Sequence, residues 1–389
     1  MSIKVLMLLD NPFKSDARVE KEAISLVKAG YSVTVFAVED AALPHEEFRD
    51  GYTIKRVFSW LFNSPLKKGF NDYISAVVNT IAKEDFQVLH CHDFYMLYIG
   101  MKVKQMKPNV KLLYDSHEYL VGWPFYLSNT GLLNKIKGYL VWHKLIANEK
   151  KAIRAADAVI TITTSIADRL QRNNGLAQMP LVVSNYPNHF EVTTNKNYFR
   201  ALYGISNEQL VLVHSGTIYH TDQQLRFLFN VVRNNEKIAL VFIGNKPRFE
   251  EVKSLVNADS RLQNRIFFHP YLSNQKEMVN LLSCADIGLM HIRDTWEAHK
   301  IGFSNRFVEY ALAEIPVIAT PQDFTKTVNE TFPCSVFYAE DNEKALDTAV
   351  KTMLQNYQTL KSGIGAAKEN FNWRSEEVKL LDIYTQLLR

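Results

Sequence analysis

Lys4-Val5-Leu6-Met7-Leu8-Leu9, then apolar residues at Val19, Ala23, Leu26 and Val27, then Gly30 and Ser32-Val33-Thr34-Val35-Phe36-Ala37-Val38, decide how this chain folds. The first run is short, continuous and apolar, as a strand buried on both faces of a parallel sheet requires. The middle positions recur at helical spacing, and Gly30 closes them as a C-cap signal. A second apolar strand follows, which makes a βαβ unit. The alternation returns at Val88-Leu89-His90-Cys91, Lys111-Leu112-Leu113-Tyr114 and Ala158-Val159-Ile160-Thr161-Ile162. Each of these runs ends in a polar loop, where open parallel sheets carry their ligand-facing residues.

A turn-rich linker, Ser184-Asn185-Tyr186-Pro187-Asn188, separates this series from a second one. Its strands are read at 210–214, 239–243, 266–269, 287–290, 316–319 and 334–338, with helical stretches between most of them. An amphipathic helix over 376–388 ends the chain. The sequence therefore predicts an α/β protein of two doubly wound, Rossmann-like domains. The expected divisions are 1–188, 189–370 and a terminal helical segment 371–389.

Composition narrows the function classes. Hydrophobic residues make up 47% of the 389 and charged ones 22%, an ordinary globular balance. Cys91, Cys284 and Cys334 are odd in number and far apart, so they give no metal spacing and fit a reduced, cytoplasmic protein. The run 3–9 stops at Asp10 without a cleavage-like region, so no signal peptide is expected. No apolar run approaches the ~20 residues of a spanning helix. A net charge of +4 permits an anionic substrate or surface without demanding nucleic acid, which is not expected as a partner.

One loop carries more chemistry than the rest: Gly302-Phe303-Ser304-Asn305-Arg306-Phe307-Val308-Glu309-Tyr310. A loop feeding a helix N-terminus presents unpaired backbone N–H groups at the positive end of the dipole. Ser304, Asn305 and Arg306 add side-chain donors, which together suit a phosphate. Glu309, one turn further, is placed to accept from ribose hydroxyls. The plainer reading is an ordinary helix start with a solvated Glu309.

Taken in order along nearly the whole chain, the motifs resemble the GT-B-fold glycosyltransferases of family 4, and more narrowly a bacterial surface-polysaccharide branch. The resemblance rests on Asp16-Ala17-Arg18-Val19 with Glu22-Ala23, on His90-Cys91-His92-Asp93 and on Tyr114-Asp115-Ser116-His117-Glu118. It continues through Ser184-Asn185-Tyr186-Pro187, His214-Ser215-Gly216-Thr217, Val241-Phe242-Ile243-Gly244, Ala285-Asp286-Ile287-Gly288-Leu289, the loop above and Phe371-Asn372-Trp373. It implies two Rossmann-like domains facing across a cleft, the second binding a nucleotide sugar and the first an acceptor, with the last helix crossing back to the first. It also implies retention of anomeric configuration, no divalent metal and no cofactor beyond the UDP- or GDP-linked donor.

The resemblance assigns roles residue by residue. Glu309 matches the second, ribose-binding Glu of the family's Glu-x7-Glu signature, whereas the first Glu is replaced by Ile301. Glu297, His299 and Lys300 stand nearby as substitutes or as a solvated loop. The Gly216 loop continues with Thr217 and lacks the Arg and Lys common in the family, so Arg306 first and Lys246 second are the available phosphate cations. His92 is carried over as the residue near the transferred sugar, with Asp93 beside it. Asp16, Arg18, His117 and Glu118 are assigned to the acceptor side. Asp16 reads equally as a helix N-cap and His117 as a structural loop residue.

Residues 123–144 interleave Phe125, Tyr126, Leu132, Leu133, Ile136, Tyr139 and Leu140 with Lys135, Lys137 and Lys144. Such a helix either lies on an anionic membrane or packs on its own domain. The sequence thus points to a glycosyltransferase acting on a glycan or lipid-linked saccharide at the cytoplasmic membrane face. A sugar-nucleotide epimerase or hydrolase, and a silent GT-B partner protein, are the alternatives. A Rossmann dehydrogenase is disfavoured because no Gly-x-Gly-x-x-Gly follows the first strand.

Overall fold

The computed structural model describes residues 2–59, 69–244, 247–293 and 295–389. The chain forms two compact units, one running up to Asn185 and including Trp373–Arg389, the other being Tyr186–Asn372. The crossings therefore fall at 185/186 and 372/373, where the sequence reading placed them at 188/189 and 370/371.

In the first unit, β1 (Lys4–Leu8), β2 (Ser32–Val38), β3 (Glu46–Arg49), β4 (Tyr52–Phe58), β5 (Val88–His92), β6 (Lys111–Ser116), β7 (Ala158–Thr161) and β8 (Leu181–Val182) form one sheet. Its order is β3-β4-β2-β1-β5-β6-β7-β8, parallel except for the β3/β4 pair. β5 is buried along its whole length, which is why it reads as an unbroken apolar run with two histidines in it. β3 and β4 lie outside the sequence reading. They join through Asp50 and Gly51, both at positive φ (46° and 90°), the backbone of a two-residue hairpin turn.

The terminal helix Trp373–Leu387 belongs to this first unit. Its Trp373, Leu380, Ile383, Tyr384 and Leu387 pack with Val5, Met7, Val19, Ala23 and Leu26. Burying such side chains stabilises by roughly 1.5–3 kcal/mol apiece. Polar contacts fix its register: Trp373 Nε1 donates to Ser25 Oγ (3.0 Å), and Glu376 accepts from the Ser184 N–H (2.8 Å).

The second unit holds β9 (Leu210–Ser215), β10 (Ile238–Gly244), β11 (Ile266–Pro270), β12 (Ile287–Met290), β13 (Val317–Ala319) and β14 (Ser335–Phe337). They form an all-parallel sheet ordered β11-β10-β9-β12-β13-β14. Winding reverses between β9 and β12 here, and between β1 and β5 in the first sheet. In doubly wound sheets the crevice at such a reversal, beyond the strand carboxyl ends, is where ligands bind.

Candidate functional site

At the reversal of the second sheet, β9 ends at Ser215 and the chain turns through Gly216. Gly216 has φ +83°, a left-handed conformation that side-chain-bearing residues resist, and its N–H donates to the Ile243 carbonyl (2.8 Å). A Cβ added there would meet Arg306 Nη2 at 3.0 Å, so the bare backbone is what lets this guanidinium come close.

Arg306 lies in the first turn of the helix Asn305–Leu312. Ser304 caps that helix, its Oγ accepting from the Phe307 N–H (3.2 Å) and donating to Met290 Sδ (3.0 Å). Tyr310 clamps the underside: its hydroxyl accepts from the Ser215 N–H and lies 3.1 Å from the Val213 and Leu289 carbonyls. The helix start is thereby fixed to the ends of both β9 and β12.

Arg306 itself is loosely held. Its Nη1 is 3.4 Å from His214 Nε2, and its Nη2 is 3.5 Å from the Thr217 carbonyl, too long for a strong bond. Burial, and then Arg306, push His214 well below the usual histidine range, which leaves the guanidinium as the cation. Glu309, half-buried one turn on, is pushed up to about 7 by burial, against the pull of Arg306. Asn305 is exposed at the helix start, and Thr217 is half-buried. The structure therefore brings Gly216, Thr217, Ser304, Arg306 and Glu309 together. Lys246 lies outside the described residues. Ile301 is 2% exposed and offers no polar group. Tyr271, absent from the sequence reading, is partly exposed just after β11 and feels both Glu309 and Arg306. Its only sequence signal is its place at a strand end.

The first sheet's reversal gathers a denser set. Arg18 Nε and Nη2 donate to the two oxygens of Asp115 (2.8 Å each), and Nη1 donates to the Val183 carbonyl (2.7 Å). At 3% exposure, with Nε, Nη1 and Nη2 all bonded inside the unit, Arg18 ties a helix to β6. His92 is 1% exposed, its Nδ1 lies 3.3 Å from Asp115 Oδ2, and burial lowers its basicity.

The groups that do reach solvent are Asp93, His117 and Glu118. His117 stands between Asp93 (Nδ1 to Oδ2, 3.2 Å) and Asp115 (Nε2 to Oδ2, 3.0 Å). Burial opposes its charge, yet these two carboxylates hold it well above the usual histidine range. It is an imidazolium with both nitrogens spent, suited to fixing Asp93 and unsuited to taking a proton. Asp93 has φ +61°, a strained backbone for a non-glycine residue, and also accepts from the His117 N–H (3.1 Å). Strain of this kind costs about 1–3 kcal/mol and gathers at functional positions.

Asp16 caps the helix Ala17–Lys28, accepting from the Val19 N–H (3.3 Å) and from Asn11 Nδ2 (3.0 Å). Asp10, following β1, is pushed up to about 7 by burial and then by Asp93. The sequence reading missed it, although it lies two residues beyond the strand that defines the fold.

Comparison with known proteins agrees with both units. The model described as Glycosyltransferase Family 4 matches residues 18–185, and the one described as Glycosyl transferases group 1 matches 209–356. No curated protein matches the sequence. Among solved structures, a sucrose-phosphate synthase from Thermosynechococcus elongatus superposes with a TM-score of 0.75 at 15% identity, covering 99% of each chain. Anabaena HepE in complex with UDP gives 0.69 at 14% identity over 99% of this chain and 100% of that one. A glycosyltransferase from Rickettsia africae gives 0.66 at 14%, over 100% and 99%. The chain belongs to the glycosyltransferases of GT-B fold, with a family 4 first domain and a group 1 second domain.

Proposed function

We propose that this transferase moves a sugar from a nucleoside-diphosphate donor, UDP-linked in the first instance, to a hydroxyl of a glycan or lipid-linked saccharide with retention of configuration. The observation that carries the donor half is Arg306, poised over Gly216 at a capped helix start with Glu309 one turn behind. The backbone N–H groups and Arg306 take the diphosphate, and Glu309 takes the ribose hydroxyls. Arg306 then stabilises the charge that develops as the diphosphate leaves, so no metal ion is needed for that step. Preplaced donors aimed at developing charge typically contribute more to such catalysis than any other single effect. UDP is favoured because HepE structures carry UDP and UDP-glucose.

On the first unit Asp93, held by His117, receives the acceptor hydroxyl, with Asp10, Asp16 and Glu118 around it. The helix Leu132–Ile153 leaves Leu132 (75%), Leu133 (73%), Ile136, Tyr139 and Leu140 exposed, with Lys135 and Lys137 beside them. No helix among the described residues is long and apolar enough to cross a membrane. We assign this patch to docking on an anionic leaflet in surface-polysaccharide synthesis, where lipid-linked acceptors are presented. The test is a panel of nucleotide sugars with saccharide and lipid-linked acceptors, read by product mass and anomeric NMR coupling. Acceptor-dependent transfer with a retained anomer supports the proposal. Donor hydrolysis without acceptor, or an inverted product, overturns it.

A further inference from the structure

Below the Asp93–His117 pair lies a group of buried polar atoms that the transfer chemistry does not use. Glu22, from the helix Ala17–Lys28, and His90 and His92, from β5, are all at or below 1% exposure. His90 and His92 stand two apart on one strand, so their rings share a face of the sheet, with centroids 4.2 Å apart. Their Nε2 atoms lie 3.8 and 4.0 Å from the same oxygen, Glu22 Oε2. None of these three atoms has a hydrogen-bond partner among the described residues. Buried polar atoms are ordinarily satisfied, and a converging set that is not needs a physical reason.

The other side of each ring supplies one. His90 Nδ1 is 2.9 Å from the Tyr384 hydroxyl, and His92 Nδ1 faces Asp115 Oδ2. With the proton on Nδ1 in both rings, two Nε2 lone pairs and a carboxylate oxygen point at one another in a closed core. That arrangement repels unless a proton or a metal ion sits between them. It is also the pattern of metal-binding histidines, in which the distal N–H is held by a carboxylate or another oxygen that sets tautomer and ring orientation.

We propose that Glu22, His90 and His92 bind one divalent transition-metal ion, of the zinc class, through His90 Nε2, His92 Nε2 and Glu22 Oε2. Imidazole with a single carboxylate is a donor set for zinc and its neighbours rather than for magnesium or calcium. At metal–ligand distances of about 2.0–2.2 Å, tetrahedral ligands stand roughly 3.4 Å apart, so each Glu22–histidine edge contracts by about half an ångström on binding. Asp115 also lies within 4.8 Å of the cluster, but its Oδ2 already faces Arg18, His92 and His117, which makes it a support and not a ligand. Arg18 Nε, 3.2 Å from Glu22 Oε1, steadies the carboxylate from behind. Asp115 sits against Arg18 and His117, and Asp93 against His117, leaving Glu22 as the carboxylate of the cluster.

The site joins the first helix, β5 and, through Tyr384, the terminal helix. The test uses the full chain without a histidine tag, freed of metal by a chelator, then titrated with zinc against a competing chromophoric chelator. Saturable uptake of about one ion per chain is expected, with a tetrahedral visible absorption on cobalt substitution. Glu22→Gln should abolish uptake. Tyr384→Phe, which keeps the ring packing, should weaken it by about 10–100-fold as loss of an outer support does. Circular dichroism separates lost binding from lost folding. Failure of the wild type to take up zinc or cobalt, or uptake unchanged in both variants, overturns the proposal.

Discussion

Arg18 and Arg306 occupy equivalent places in the two units, each near the reversal of a doubly wound sheet and each at the start of a helix, yet their surroundings are opposite. Arg18 makes three bonds of 2.7–2.8 Å to a buried carboxylate and a carbonyl, whereas the nearest acceptors of Arg306 are at 3.4 and 3.5 Å. One guanidinium is saturated by its own protein and the other keeps its donors for something else. A charge fully paired inside the fold organises neighbours. A charge held in position but under-bonded is available to an anion. In the first unit this leaves Asp93 as the group on offer, and in the second it leaves Arg306 and Glu309.

Removing the saturated cation tests the first half of that contrast and carries the largest expected effect. Arg18→Ala should destabilise the fold by about 3–5 kcal/mol, because the buried Asp115 and Glu22 both lose the guanidinium that faces them. Urea denaturation reads this directly, and a loss below about 1 kcal/mol would break the comparison. Arg306→Ala should behave the other way round. Turnover should fall by about 10²–10³, as when a transition-state donor is lost, while the denaturation midpoint stays near wild type. A variant that unfolds but turns over normally when folded contradicts the assignment.

Next in size is pH. In the proposed role Glu309 accepts from both ribose hydroxyls through its two carboxylate oxygens, which favours the ionised form, and its pKa stands at about 7 instead of 4.5 because of burial. Nucleotide affinity should therefore be constant above pH 7 and fall by about tenfold per unit below it, with proton release on binding there. In the ligand-free protein the same group acts oppositely on stability, which is lost as pH rises from about 4.5 through 7. Calorimetry in buffers of different ionisation heat should detect the released proton at pH 6, and Glu309→Gln should abolish it. The smallest effect belongs to Gly216→Ala. Its φ of +83° costs a side-chain-bearing residue about 1–2 kcal/mol, and the new methyl displaces Arg306. Stability should drop by that amount, and donor KM should rise.

Much of this architecture is visible in the sequence because parallel strands buried on both faces leave continuous apolar runs, such as 238–244, where every residue is buried. The β3–β4 hairpin escaped for the complementary reason. β4 is half-exposed and alternates, Tyr52, Ile54, Arg56 and Phe58 being buried, and its clearest marker was the Asp50-Gly51 turn. The helix start at 304–309 was readable because its residues are adjacent in the chain. The acceptor side was not, because Arg18 and Asp115 lie 97 residues apart and only their pairing shows that neither is free. Nor does any local pattern reveal that Asp93 has a left-handed backbone, or that the apolar face at Leu132 and Leu133 lacks a core to pack on.

The most direct test of the central claim is calorimetric titration of UDP and GDP into the wild type, Arg306→Ala and Glu309→Ala at pH 8. Saturable binding by the wild type to one nucleotide over the other is expected, weakened in both variants with their folds unchanged. No binding by the wild type to either nucleotide, or undiminished binding by both variants, would contradict a donor site at this helix start.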